Sequence, residues 1–219
     1  MSQLRGLSNT SKLSMRGLTS LSIMLVSVNP ALNIAEPPPI VLISTSTTGA
    51  SFDPLYHYDS AISLRACFTL AYDTNVAGTH VLTHTFMPLL LRSSDPRLLF
   101  ITGLANQTLA TANYFPTPAL PAGWPKPRNY LETIGYRCSK TALNMLMLDW
   151  NHKLRADGVK VWAVGPEFLE TDLGGRRDLA KEMGAGHASA GGEFTRDVIE
   201  GERDGDVGKI VVKDGIRAP

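Results

Sequence analysis

From Asp73 onward, apolar runs too short to be helices alternate with longer stretches of helical period, and this alternation constrains the fold more than any other feature. Asp73 to Leu91 has a helical period, with Val76, Leu82, Phe86, Leu89 and Leu90 as its apolar face. Leu98 to Ile101 is a short buried strand, bounded by Asp95-Pro96 and Gly103. A second helix extends through Thr141 to Arg155, with Leu143, Leu146, Met147, Trp150 and Leu154 inward, and stops at Asp157-Gly158. Val159 to Val164 is the next strand, followed by a helix over Glu193 to Glu200 and a strand over Lys209 to Val212. Strands that alternate with helices in this way predict an α/β fold, a doubly wound parallel sheet with helices on both faces.

Composition narrows the function classes. A chain of 219 residues holds one sizeable domain. Its 21 Lys and Arg nearly balance 20 Asp and Glu, so no nucleic-acid or acidic-membrane footprint stands out. Cys67 and Cys138 are far apart and lack metal-ligand neighbours, which argues against a disulfide framework or zinc site and fits a reducing, cytoplasmic setting. No run is long enough to span a membrane as a helix. His80 and His84 stand at helical spacing without the glutamate or third ligand of a zinc hydrolase, and read as ordinary helix residues. Trp124, Trp150 and Trp162 read as packing residues, and Glu193 to Asp206 as a solvated helix and turn.

The first 70 residues are different. They carry Arg5, Lys12 and Arg16 among many serines, an apolar stretch from Leu18 to Val28, and Pro37-Pro-Pro39. Read literally, this resembles a signal or transit peptide. It contains no strand, Gly-rich turn and helix of the kind that cradles a dinucleotide, since Gly6, Gly17 and Gly49 stand alone.

Tyr136 and Lys140 lie four apart in Gly135-Tyr-Arg-Cys-Ser-Lys140, which puts both on one face of a helix. A phenol with a pKa near ~10 is a poor acid–base catalyst at neutral pH, and a neighbouring ammonium favours its ionised form. In isolation the pair is most simply two surface residues. Four segments in order make it more. Asp73-Thr-Asn75-Val-Ala-Gly78, Arg97-Leu-Leu-Phe-Ile-Thr102-Gly103, Tyr136-Arg-Cys-Ser-Lys140 and Val164-Gly-Pro166-Glu-Phe-Leu-Glu-Thr171-Asp172 resemble the C-terminal two-thirds of a short-chain dehydrogenase/reductase.

That resemblance implies a Rossmann-like sheet, incomplete on its N-terminal side, and an NAD or NADP cofactor, with NADP preferred. Tyr136 would exchange a proton with the substrate oxygen, and Lys140 would bind the nicotinamide ribose and lower the tyrosine pKa. Asn75 would hold a water that links Lys140 to solvent, and Pro166 and Thr171 would contact the nicotinamide end. The family ends its strand with a hydroxyl residue that orients the substrate oxygen. Thr102 is the candidate here, provided that the strand end shifts by one residue. Glu167 stands where the family usually has glycine.

Residues 1–70 are expected to be an atypical segment, disordered or the product of a misjoined or frame-shifted exon, ahead of residues 71–219 of the family domain. In a shifted frame, codons compatible with Met15 to Val26 permit Leu-Asp-Val-Leu-Val-Asn-Asn-Ala-Gly, the family's strand before the Asn75 helix, although only the alanine is forced. With that half absent, the strand ending at Ile101 would be a bare, aggregation-prone edge. The helices Asp73–Leu91 and Thr141–Arg155 would be the face of a homo-oligomer. Two functions follow: an oxidoreductase acting on a small carbonyl or alcohol, or a non-catalytic relative, either a binding or regulatory protein or an inactive gene product.

Overall fold

The computed structural model describes residues 63–103, 120–126, 133–171, 173 and 177–217, and the backbone of two strands in the segment before them. Those strands are β1 (Leu21–Ser27) and β2 (Ile40–Ser46). Helix α1 (Leu64–Tyr72) passes through a π-helical turn (Asp73–Gly78) directly into α2 (Thr79–Leu90). Then come β3 (Arg97–Ile101), α3 (Ile134–Leu154), β4 (Lys160–Gly165) and β5 (Leu169–Glu170). The chain continues with α4 (Arg177–Glu182), β6 (Gly186–His187), α5 (Ala188–Ile199), β7 (Ile210–Val212) and β8 (Gly215–Arg217).

The main sheet has the order β1-β2-β3-β4-β7-β8. Its four central strands are parallel, while β1 and β8 run antiparallel to their neighbours at the two edges. The doubly wound parallel sheet is present; the hairpin strand β8 and the small β5–β6 pair were not foreseen. The expected bare edge at Ile101 is corrected, because β3 pairs with β2 on one side and β4 on the other.

Strand alternation sorts the apolar residues onto two faces. Leu98, Phe100, Val161 and Ala163 pack with Leu90, Leu143, Met147, Trp150 and Leu154 of α2 and α3. Leu99, Trp162, Val164 and Val211 pack with Phe194 and Val198 of α5. Phe100 and Trp162 are fully buried, and each such side chain contributes about 1.5–3 kcal/mol relative to exposure. The first helix begins at Leu64 rather than Asp73, because Ser63 caps it by accepting from the Ala66 amide. A 3-10 turn (Arg155–Asp157) follows α3, and Gly158 closes it at a φ of 70°, a left-handed conformation that suits glycine.

Of residues 106–129, only positions 120–126 are described. Trp124 in that stretch is 88% exposed, so it is not the packing residue expected, unlike Trp150 and Trp162. The side chain of Cys67 also lies outside the described residues.

At the amino ends of the strands, Arg97 and Lys160 face each other across the ladder, which would repel if they were unpaired. Asp95 and Asp204 intervene. Arg97 contacts Asp204 at 2.6 Å and Asp95 at 2.8 Å, and Lys160 reaches the same two carboxylates at 2.6 and 2.8 Å. The Arg97 guanidinium also lies over Trp162, 5.5 Å from the ring centroid, and donates to the Val198 carbonyl. Glu193–Asp206 is therefore more than a solvated helix and turn, because Asp204 fastens it to the strand ends. Hydrogen bonds from Arg97 and Lys160 hold Asp204 below its usual range. Burial works against ionisation of Asp95, but the same two cations outweigh it and lower that group too. This stabilisation is complete above about pH 4 and fades below it as the carboxylates protonate. Arg97→Ala should destabilise the fold by about 2–3 kcal/mol, discounted because both carboxylates stay about one-third exposed. Urea unfolding at pH 7 and pH 3 measures this, with the gap between wild type and variant narrowing at pH 3.

Candidate active site

Tyr136, Lys140 and Asn144 recur every fourth residue and form one stripe along α3. That stripe meets the carboxyl end of β3, where ligands bind in open α/β sheets. The Lys140 Nζ donates to the Ile101 carbonyl at 2.7 Å. The Thr102 hydroxyl donates to Asn144 Oδ1 at 2.6 Å. A Cβ built on Gly103 would stand 3.5 Å from the Tyr136 hydroxyl oxygen. The Thr102 amide donates to the Val164 carbonyl at 2.8 Å, tying this strand end to β4. Within the stripe, the Lys140 ammonium lies 5.6 Å from the centroid of the Tyr136 ring.

Lys140 is 4% exposed. Burial pushes its pKa down from 10.5 to about 8, because the ammonium loses its water. An ammonium kept dry beside a phenol is costly for stability and suited to favouring a phenolate.

Asn75 reaches the same helix from the other side. The π-helical turn that carries it is a widening often found at functional positions. The side chain is 2% exposed, and its Nδ2 donates to Ser139 Oγ at 2.9 Å. Ser139 in turn donates to the Tyr136 carbonyl at 2.7 Å. Asn75 Oδ1 is buried with no hydrogen-bond partner among the described residues. Leaving such an acceptor unpaired costs about 1–3 kcal/mol, a cost commonly met at functional sites.

The structure thus brings Tyr136 and Lys140 to the end of β3 and links Asn75 to their helix turn through Ser139. It does not turn Thr102 toward the phenol: that residue is 4% exposed, with its hydroxyl committed to Asn144. Side chains alternate along an extended chain, and Gly103 is the residue that borders the phenol. Pro166 is half-buried at the end of β4, and a Cβ on Gly191 of α5 would stand 3.2 Å from its ring. Thr171 is half-buried, and its hydroxyl accepts from the Leu173 amide at 3.3 Å. Glu167 between them has a φ of 71°, the left-handed region glycine adopts without penalty. This gives a physical reason for the glycine that the resemblance expects there.

Two site residues escaped sequence reading. Asn144 could have been found by extending the four-residue spacing one step beyond Lys140. Ser139 could not, because its partners are 64 residues away and one turn back. His84 is exposed, and His80 is half-buried with its ring 5.5 Å from that of Trp150. No cluster of metal-ligating side chains occurs among the described residues.

No protein-family model matches the chain. Two curated relatives do. The short-chain dehydrogenase/reductase tropE of Talaromyces stipitatus is 52% identical over 161 residues, covering 71% of this chain and 59% of the relative. The short-chain dehydrogenase/reductase eupG of a Phoma species is 42% identical over 171 residues, covering 74% and 60%. The chain belongs to the short-chain dehydrogenase/reductase family. It spans about 60% of the length of these family members. Among solved structures, the NADPH-bound carbonyl reductase from chicken fatty liver shares the fold, with a TM-score of 0.52 at 20% identity over 74% of this chain and 60% of the other.

Between pH 8 and about 10.5 the unfolded family domain would hold a Lys140 proton that the folded one has released, so stability rises with pH through that window. Below pH 8 the buried ammonium is a net burden. Lys140→Met should therefore stabilise the cofactor-free protein by about 1–2 kcal/mol at pH 7, an advantage that shrinks toward pH 10. Urea unfolding at both pH values measures it; a variant less stable than wild type at pH 7 would contradict this account of the lysine.

Proposed function

We propose that this chain carries the catalytic part of an NADP-dependent carbonyl reductase or secondary-alcohol dehydrogenase acting on a small molecule. The observation that carries the reading is the placement of Tyr136 and Lys140 at the carboxyl end of β3, with Asn75 joined to the same turn of the helix through Ser139. The residues present fit the nicotinamide-ribose end of such a cofactor. Among the described residues Lys140 donates to one acceptor, the Ile101 carbonyl, so its other N–H groups can meet a ribose, and Pro166 and Thr171 lie on either side of β5 in the segment after β4. The chicken enzyme with NADPH bound favours NADP over NAD. When bound, the nicotinamide supplies or accepts the hydride.

Tyr136 gives its phenolic proton to the substrate oxygen during reduction and takes one back during oxidation. Lys140, as ammonium, favours the phenolate left behind. Asn75 offers Oδ1 as a buried acceptor on the path by which that proton is replaced. A second reading, a non-catalytic relative, is favoured by Gly103, which sets no hydroxyl beside the phenol. Self-association belongs to the first reading: Tyr72, Val76, Ala77, His80 and Leu146 line a shallow hollow of about 470 Å³, and Val81 and Met145 are exposed on the same helices. Sedimentation should show a dimer that Met145→Lys dissociates; a wild-type monomer would sink that part.

Fluorescence titration with NADPH, combined with turnover of a carbonyl panel, separates the two readings. Tyr136→Phe should lower turnover by about 10²–10⁴-fold with NADPH binding retained. Gly103→Ser should raise turnover. Failure of the wild type to bind NADPH or NADH, even at high concentration, would sink the enzyme reading.

A further inference from the structure

The Ser139 hydroxyl is fully buried and has only one proton. That proton points to the Tyr136 carbonyl at 2.7 Å, so toward Asn75 the oxygen can only accept. This dictates which end of the Asn75 carboxamide faces it. Nδ2 must donate to Ser139, and Oδ1 must turn the other way, where it is buried without a partner among the described residues. The same hydroxyl joins two elements that are distant in sequence, the π-helical turn at Asn75 and the turn of α3 that begins at Tyr136 and ends at Lys140.

We propose that Ser139 is a positioning residue, which orients the Asn75 carboxamide and anchors the π-helical turn to the backbone of Tyr136. Ser139 itself touches neither substrate nor cofactor in this account; it acts through Asn75 and Tyr136. The inference rests on the reductase reading above and deepens it. Alanine at 139 removes both hydrogen bonds, frees the Asn75 amide to flip, and leaves Nδ2 buried without an acceptor. Cysteine nearly preserves the volume but bonds weakly, and threonine keeps an oxygen able to make both contacts.

Steady-state kinetics and NADPH titration of wild type, Ser139→Ala, Ser139→Cys and Ser139→Thr test this. The expected result is a loss in kcat of about ten- to a hundredfold for Ala and Cys, with carbonyl KM and NADPH affinity within threefold of wild type. The Thr variant should recover most of kcat. The Cys variant keeps the test valid if the Ala variant fails to fold. Wild-type kcat in both the Ala and Cys variants overturns the proposal. So does a loss in which carbonyl KM rises while NADPH affinity and melting temperature fall, or one that Thr does not rescue. An active wild type with unaffected variants refutes Ser139 alone, whereas a wild type that neither binds NADPH nor turns over refutes the reading beneath it as well.

Discussion

The contact between the Tyr136–Lys140–Asn144 stripe and the end of β3 governs how the rest of the site is arranged. An ammonium has to find an acceptor where water cannot reach, and the Ile101 carbonyl, at the point where β3 stops pairing in regular fashion, provides one. Once Lys140 is placed there, a straight helix leaves little freedom for its neighbours. Asn144 falls one turn on, against Thr102, and Tyr136 one turn back, against Gly103. One buried polar anchor thus sets the register between helix and strand, and that register decides which residue faces the phenol.

Polar groups hold the two ends of the sheet in opposite ways. At the amino ends, Arg97, Lys160, Asp95 and Asp204 form a mutually neutralised cluster in which each cation meets both carboxylates. At the carboxyl ends, among the described residues, Lys140 is buried without an ion-pair partner and Asn75 Oδ1 without a hydrogen-bond partner. The first arrangement satisfies its charges and stabilises. The second leaves bonding capacity unused at a cost to stability, which is the pattern expected where a ligand completes the set. Between them lie the two apolar layers on either face of β3 and β4, rigid enough to keep the unsatisfied end in place.

Much of this was legible in the chain. The apolar runs around Phe100 and Trp162 announced central strands because strands buried on both faces lose the polar half of their alternation. The helix of Leu143, Met147, Trp150 and Leu154 was visible from its period. The boundary at Leu64 was harder to see, because the cap at Ser63 lies in a Ser/Thr-rich region with no clear period. Asp204 was hidden for a different reason: its partners Arg97 and Lys160 are far away in sequence, and a lone aspartate in a charged stretch looks solvated. Thr102 was the instructive case. A residue type suited to the role stood next to the right position, and only the direction of its side chain showed that the hydroxyl serves Asn144.

The sequence by itself determined the class of fold, the helix bearing Tyr136 and Lys140, and the family, since these depend on local period and on short motifs in order. Tertiary structure alone decided which side of β3 each terminal residue faces, that Lys140 is buried against the Ile101 carbonyl, and that Ser139 joins Asn75 to Tyr136. Those properties arise between segments far apart in the chain. Their energies come from burial and from the geometry of single hydrogen bonds, and neither leaves a periodic trace in the order of residues.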